Sequence, residues 1–144
     1  MDEILDHIEK QFLNTLPELN TTIEESIDWL TAKGVSPHTL YLTRFIVEEM
    51  GTNILKYGYD DQDNHLIQLK LSLTSTTLKI LLIDDGHEFN PIEAPQPKTS
   101  GSIEERTPGG LGIWLVQKFG QLLYKRENNL NCVEVDLKLD CVTE

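Results

Sequence analysis

Three stretches of this chain alternate apolar and polar residues: "HLIQLKLSL", "TSTTLKILLID" after its turn, and "NCVEVDLKL". This period of two constrains the fold more than any other feature, because successive side chains of a strand point to opposite faces. The first stretch sets Leu66 (or Ile67), Leu69, Leu71 and Leu73 against polar neighbours, and the third lines up Val133, Val135, Leu137 and Leu139. The first two stretches are joined by a short polar turn and read as a hairpin. "QLLYKRE" and "NCVEVDLKL" form another, turning at Asn128-Asn129. "HIEKQFLN", with Ile8 and Phe12, is a weakly phased first strand.

A sheet with one apolar face must bury it against other elements. Leu19, Ile23, Ile27 and Leu30 recur at steps of three and four, which predicts a helix from about Glu18 to Lys33 with Gly34 just past its end. Ser36-Pro37 supplies a cap and a first-turn proline for a second helix, Pro37 to about Tyr57, stopped by Gly58. Phe45, Ile46, Ile54 and Leu55 belong to its apolar stripe. "LGIWLVQKFG" is a short third helix closed by Gly120. The expected architecture is a single α+β domain over residues 1–144. It is a two-layer α/β sandwich: a mainly antiparallel sheet with helices on one face.

Between the strands and the third helix, residues of about 87–109 lose all periodicity and are rich in Pro, Gly, Ser and Thr. Loops that long inside a small domain are uncommon unless disordered or functional, as a lid is. With few apolar anchors, this one is expected to be mobile without a ligand.

Charge and composition narrow the function classes. A formal net charge of -12 argues against direct nucleic-acid binding or an anionic membrane, both of which need Lys and Arg. No apolar run is long enough to span a bilayer, and the acidic start "MDEILDHIEKQF" is not a signal peptide. Cys132 and Cys141 lack metal or redox spacing, so a reduced, cytoplasmic protein is expected. His7, His38 and His65 show no metal spacing, and Trp29, Trp114 and Tyr41 read as packing residues.

Three short motifs carry chemistry. Glu49 and Asn53, at i and i+4, project from one helix face. An Asn amide oxygen suits one position on Mg²⁺, and a Glu carboxylate can accept the proton of an attacking hydroxyl. A solvated helix face fits the same pair. In "LLIDDGHEF", Asp84 and Asp85 emerge from an apolar strand, where a carboxylate can accept adenine's amino hydrogens, and Gly86 lets the backbone approach a flat base. A plain Asp-Gly turn fits too. In "TPGGLGIWLV", Gly109, Gly110 and Gly112 lead into a helix whose free N–H groups could hold phosphates, or serve only as a hinge. His87-Glu88 with Pro91 loosely resembles a histidine-kinase phosphoacceptor box, but it lies in a loop after the Asn motif and not on a helix before it.

Taken together, in this order and separation, Glu49–Asn53, Asp84–Asp85–Gly86–His87–Glu88–Phe89 and Gly110–Leu111–Gly112 resemble the signature of GHKL-superfamily ATPases. "VEEMGTNILKYGY" and "GGLGIWLV" are similar to the small bacterial anti-sigma factor serine/threonine protein kinases. The resemblance covers nearly the whole chain and implies the Bergerat, histidine-kinase-like ATPase fold. It implies ATP or ADP and Mg²⁺ as ligands, with Asn53 on the metal and Glu49 orienting and deprotonating a partner's serine or threonine. Asp84 would hold the adenine amino group with Gly86 beneath the base. Gly110, Leu111, Gly112 and Ile113 would present N–H groups to the phosphates. Lys56, one turn beyond Asn53, would reach a phosphate, and Arg106 in the loop would meet the γ-phosphate or the partner. The implied partners are an anti-anti-sigma protein of the STAS fold and, in some members, a sigma factor, with homodimers common. The alternative is a nucleotide-responsive binding module that sequesters a sigma factor or other regulator without phosphotransfer. The segment "EAPQPKTSGSIEERTP" aligns with no motif.

Overall fold

The structure, a computed structural model, describes residues 3–93 and 110–139, with the backbone alone for Gly110 and Leu111. Its elements are β1 (Asp6–Leu13), α1 (Leu16–Ala32), α2 (Pro37–Tyr57), β2 (Leu66–Leu73) and β3 (Thr77–Asp84). A 3-10 turn at Pro91–Glu93, α3 (Gly110–Phe119), β4 (Gln121–Glu127) and β5 (Leu130–Lys138) follow. The five strands form one antiparallel sheet in the order β1-β2-β3-β5-β4. Helices α1, α2 and α3 pack against it, which gives the expected α+β two-layer sandwich.

The period of two sets the interface between the layers. Ile67, Leu69, Leu71 and Leu73 of β2 are buried, as are Leu78, Ile80 and Leu82 of β3 and Val133, Val135 and Leu137 of β5. Leu66 is exposed, because β2 pairs Phe12 with Ile67 and so places Ile67 on the inner face. The hairpin β4–β5 turns at Asn128 and Asn129, with φ of 54° and 63°, the left-handed pair a two-residue hairpin loop needs.

Helix α1 starts earlier than its apolar spacing suggests. Thr15 caps it, accepting the Glu18 N–H at its hydroxyl, and Pro17 occupies the first turn, where a missing N–H is harmless. Gly34, at φ 83°, ends it as expected. Leu19, Ile23 and Leu30 are buried, while Ile27 is only partly so. Arg44 reaches Glu24 across the α1–α2 contact. Tyr41 stands 69% exposed at the outside of α2, so it is not the packing residue expected. No helix among the described residues is long and apolar enough to cross a membrane.

Candidate functional site

Helix α2 positions the first two candidates. The Ser36 hydroxyl accepts the Thr39 N–H at 3.2 Å and Pro37 opens the first turn, which fixes the phase of everything downstream. In that phase Ile46, Val47, Met50 and Gly51 face the core, and Asn53 continues the same inner face toward the helix end. Asn53 is 9% exposed, and its Nδ2 has no hydrogen-bond partner among the described residues. A buried amide left so costs about 1–3 kcal/mol, so a ligand that engages it would recover stability.

Glu49, one turn earlier, is half-buried. Burial pushes its carboxyl above the ordinary range; the Lys56 ammonium pulls the other way, and neighbouring Glu48 adds to the rise. Its carboxylate occupies the space beside Gly112 in the first turn of α3, where an added Cβ would lie 2.6 Å from Glu49 Cδ. The two motifs on α2 and α3 therefore meet directly.

The third motif arrives from the sheet. Asp84 closes β3 on its inner face, in phase with Leu78, Ile80 and Leu82, and faces Asn131 of β5 across the ladder. It is 4% exposed. Oδ1 of Asp84 accepts the Gly86 N–H at 2.9 Å and Asn131 Nδ2 at 3.0 Å, while Oδ2 has no donor among the described residues. Burial pushes this carboxyl upward, Asn131 and Gly86 oppose that by donating, Asp85 adds to the rise, and Arg126 lowers it. Gly86 lies against the end of α2: a Cβ there would come within 2.6 Å of Gly58 O. His87 N–H donates to the same Gly58 carbonyl at 2.9 Å.

Between α2 and β3–β5 a cavity of about 450 Å³, counting its open mouth, is lined by Met50, Asn53, Tyr57, Leu82, Asp84 and Phe89, among others. Its walls are chiefly apolar with a few polar groups, the usual make-up of a small-molecule site. Asp84 supplies a buried hydrogen-bond acceptor among them.

The remaining candidates are placed as follows. Gly110 begins α3, and Leu111, Gly112 and Ile113 form its first turn, so their N–H groups lie at the helix's positive end. The Ile113 side chain is buried in the core, which leaves only its backbone to meet a ligand. Lys56 is exposed in the last turn of α2 and does not line the cavity. Arg106 and residues 94–109 of the expected loop lie outside the described residues.

Sequence reasoning missed Asn131, whose amide touches four groups around Asp84. Its signal was available: a polar residue at a position in phase with Val133, Val135 and Leu137. It also missed a polar cluster in a neighbouring depression that shares Gly58 and His87 with the cavity. There Tyr59 stacks on His65 at 4.0 Å and donates its hydroxyl to Asp85 Oδ1 at 2.9 Å. The His65 ring lies 3.2 Å from Asp85 Oδ2 and 2.9 Å from Asp61 Oδ1. Arg126 donates to the Gly86 carbonyl at 2.9 Å. Among the described residues no group of three or more His, Cys, Asp or Glu is arranged to hold a metal.

Comparison with known proteins fits this geometry. A relative, the serine/threonine-protein kinase BtrW of Bordetella bronchiseptica, is 25% identical over 116 residues, covering 77% of this chain and 82% of that protein. Residues 12–137, from the end of β1 to the end of β5, match the family described as histidine kinase-like ATPase domain. An ATPase domain implies a nucleotide site, and α2, β3 and the start of α3 all lie within the matched span. This chain belongs to the histidine kinase-like ATPase domain family.

Proposed function

We propose that this chain is an ATP-dependent serine/threonine protein kinase of the anti-sigma factor type. It would bind Mg-ATP in the cleft between α2 and β3–β5 and phosphorylate a STAS-type anti-anti-sigma partner, so regulating a sigma factor by partner switching. The observation that carries the reading is Glu49: a half-buried carboxylate with a raised pKa, against the first turn of α3 and one helical turn from Asn53, whose Nδ2 has no partner among the described residues. The name of the Bordetella relative, a serine/threonine-protein kinase, supports the kinase part of it.

The residues present suit the ligand. Asn53 carries the amide oxygen that would hold Mg²⁺, and its Nδ2, without a partner among the described residues, would be free to donate to a ligand oxygen. Mg-ATP, when bound, supplies the phosphoryl group. Asp84 Oδ2 would accept from the adenine amino group, with Gly86 beneath the base. The N–H groups of Gly110, Leu111, Gly112 and Ile113 would face the phosphates, and Lys56 and Arg106 would add positive charge. Glu49 would hold the partner's hydroxyl and take its proton as the oxygen attacks. ADP would leave through the mouth of the cleft.

Calorimetry with ATP and ADP, with and without Mg²⁺, on wild type and Asn53→Ala tests the site. Magnesium-dependent binding that Asn53→Ala weakens is expected; no binding in any condition would overturn the nucleotide reading. Incubating the protein, ATP and STAS-domain candidates then tests transfer. Acid-stable phosphoserine or phosphothreonine that Glu49→Gln abolishes is expected. Binding without transfer would instead make the chain a nucleotide-responsive module that sequesters its regulator.

A further inference from the structure

Asn131 is 3% exposed and makes four hydrogen bonds. Its Nδ2 donates to Asp84 Oδ1 at 3.0 Å and to the His87 carbonyl at 2.8 Å. Its Oδ1 accepts the Phe89 N–H at 3.3 Å and the Tyr124 hydroxyl at 2.7 Å. A primary amide has two N–H donors and two lone pairs, so its capacity is filled. Nothing remains with which to hydrogen-bond a ligand.

We propose that Asn131 is the positioning residue of this site: one saturated amide fixes both the Asp84 carboxylate and the His87–Phe89 wall of the cavity, without itself hydrogen-bonding the ligand. The proposal rests on the nucleotide reading above and names the device that shapes the base slot.

Three features support it. Asn131 stands opposite Asp84 in the β3–β5 register, so the backbones of both partners are already fixed before the side chains meet. With Asn131 and Gly86 both donating to Oδ1, only Oδ2 of Asp84 is left to face the cavity. His87 and Phe89 line the same cavity, and among the described residues Asn131 is the one side chain that bonds both Asp84 and this wall. Donation from Tyr124 and Phe89 to Oδ1 also sets which end of the amide faces Asp84. Leucine has a similar volume and none of these bonds. Aspartate would place a second carboxylate against the first.

Two readouts test the proposal. In the first, ATP affinity of wild type and Asn131→Leu is measured by calorimetry across pH. Loss of a donor to a charged group should weaken binding about 10- to 100-fold. The ratio of the two affinities, in which the ligand's own ionisation cancels, should grow as pH falls, because an Asp84 without its donor is neutralised sooner. A merely structural role would leave that ratio flat, and affinities within twofold at every pH would overturn the proposal.

The second readout needs no ATP: carbon-13 carboxyl NMR of Asp84, whose charged and phenolic neighbours are Asp85, Arg126, Tyr59 and Tyr124. Asn131→Leu should raise its titration midpoint, and an unchanged midpoint would overturn the proposal. Failure of the wild type to bind ATP would sink the nucleotide reading alone, since this titration stands apart from it. If Asn131→Leu does not fold, Tyr124→Phe is isosteric and removes one of the bonds that orient the amide. It should speed hydrogen exchange of the Phe89 amide and weaken ATP binding several-fold. Unchanged exchange and affinity would overturn the proposal.

Discussion

The Glu49 carboxylate fills the space that a side chain at Gly112 would take. Gly112→Ala must therefore turn Glu49 aside, which is feasible because the clash falls on the far end of a flexible side chain. Within a helix the same change favours folding by up to about 1 kcal/mol. The expected variant melts no lower than wild type, yet loses about 10²-fold or more of phosphotransfer, the scale of a general base. A drop in melting temperature with activity retained would show that Glu49 is not held there for chemistry.

Burial, opposed by Lys56, leaves the Glu49 carboxyl above its ordinary value of 4.5. As the base proposed above, Glu49 would be protonated and idle below its raised pKa, so transfer should climb as pH rises through a value above 4.5. Lys56→Met removes the cation that favours the charged form and should move that limb to higher pH. Glu48→Gln removes a like charge and should move it lower. The initial rate against pH for the three proteins checks the order.

Gly51 gives α1 and α2 their close approach, since a Cβ there would lie 2.7 Å from Leu19 Cδ1. Leu19 is fully buried. Overpacking of a tight core costs about 1–3 kcal/mol, so Gly51→Ala should lower stability by an amount in that range less its helix gain. Leu19→Ala alone should cost about 2–5 kcal/mol. The double variant should be more stable than the sum predicts, because the new methyl enters the vacated space. Urea unfolding of all four proteins measures the coupling.

His65 carries a raised pKa, from its hydrogen bond to Asp61 first and that to Asp85 second, against partial desolvation. A cation stabilised in the fold contributes fully below its unfolded value of 6.5 and is lost as pH rises through the higher folded value. The stability advantage of wild type over His65→Gln should therefore be greatest just below 6.5 and shrink toward alkaline pH. Denaturation midpoints over that range give the trend, and an advantage that grows with pH would contradict it.

Much of the architecture could be read from local chemistry. Helix α2 matches its expected span because Ser36-Pro37 and Gly58 are unambiguous punctuation. Helix α1 begins two residues before its expected start because its cap is Thr15, while the apolar spacing begins only at Leu19. The facing of β2 could not be decided between Leu66 and Ile67 without its neighbour, since pairing with β1 sets the phase. Of the motif residues, Asn53 and Asp84 line one cavity, while Glu49, one turn from Asn53, lies against Gly112. The Tyr59–His65–Asp85 cluster had no such signal: its members meet only because the loop after α2 lies beside the end of β3, a tertiary outcome.

Asp84 and Asn131 form the last rung of the ladder between β3 and β5. The chain from β1 to β3 is continuous in sequence, whereas β5 enters the sheet only after α3 and β4 have been made. Closing that rung joins segments far apart along the chain, a contact of high sequence separation that forms slowly. A nucleotide on Asp84 would bind only molecules in which this closure is complete. At a hundredfold excess over its dissociation constant, it would add about 2.7 kcal/mol to global stability through mass action.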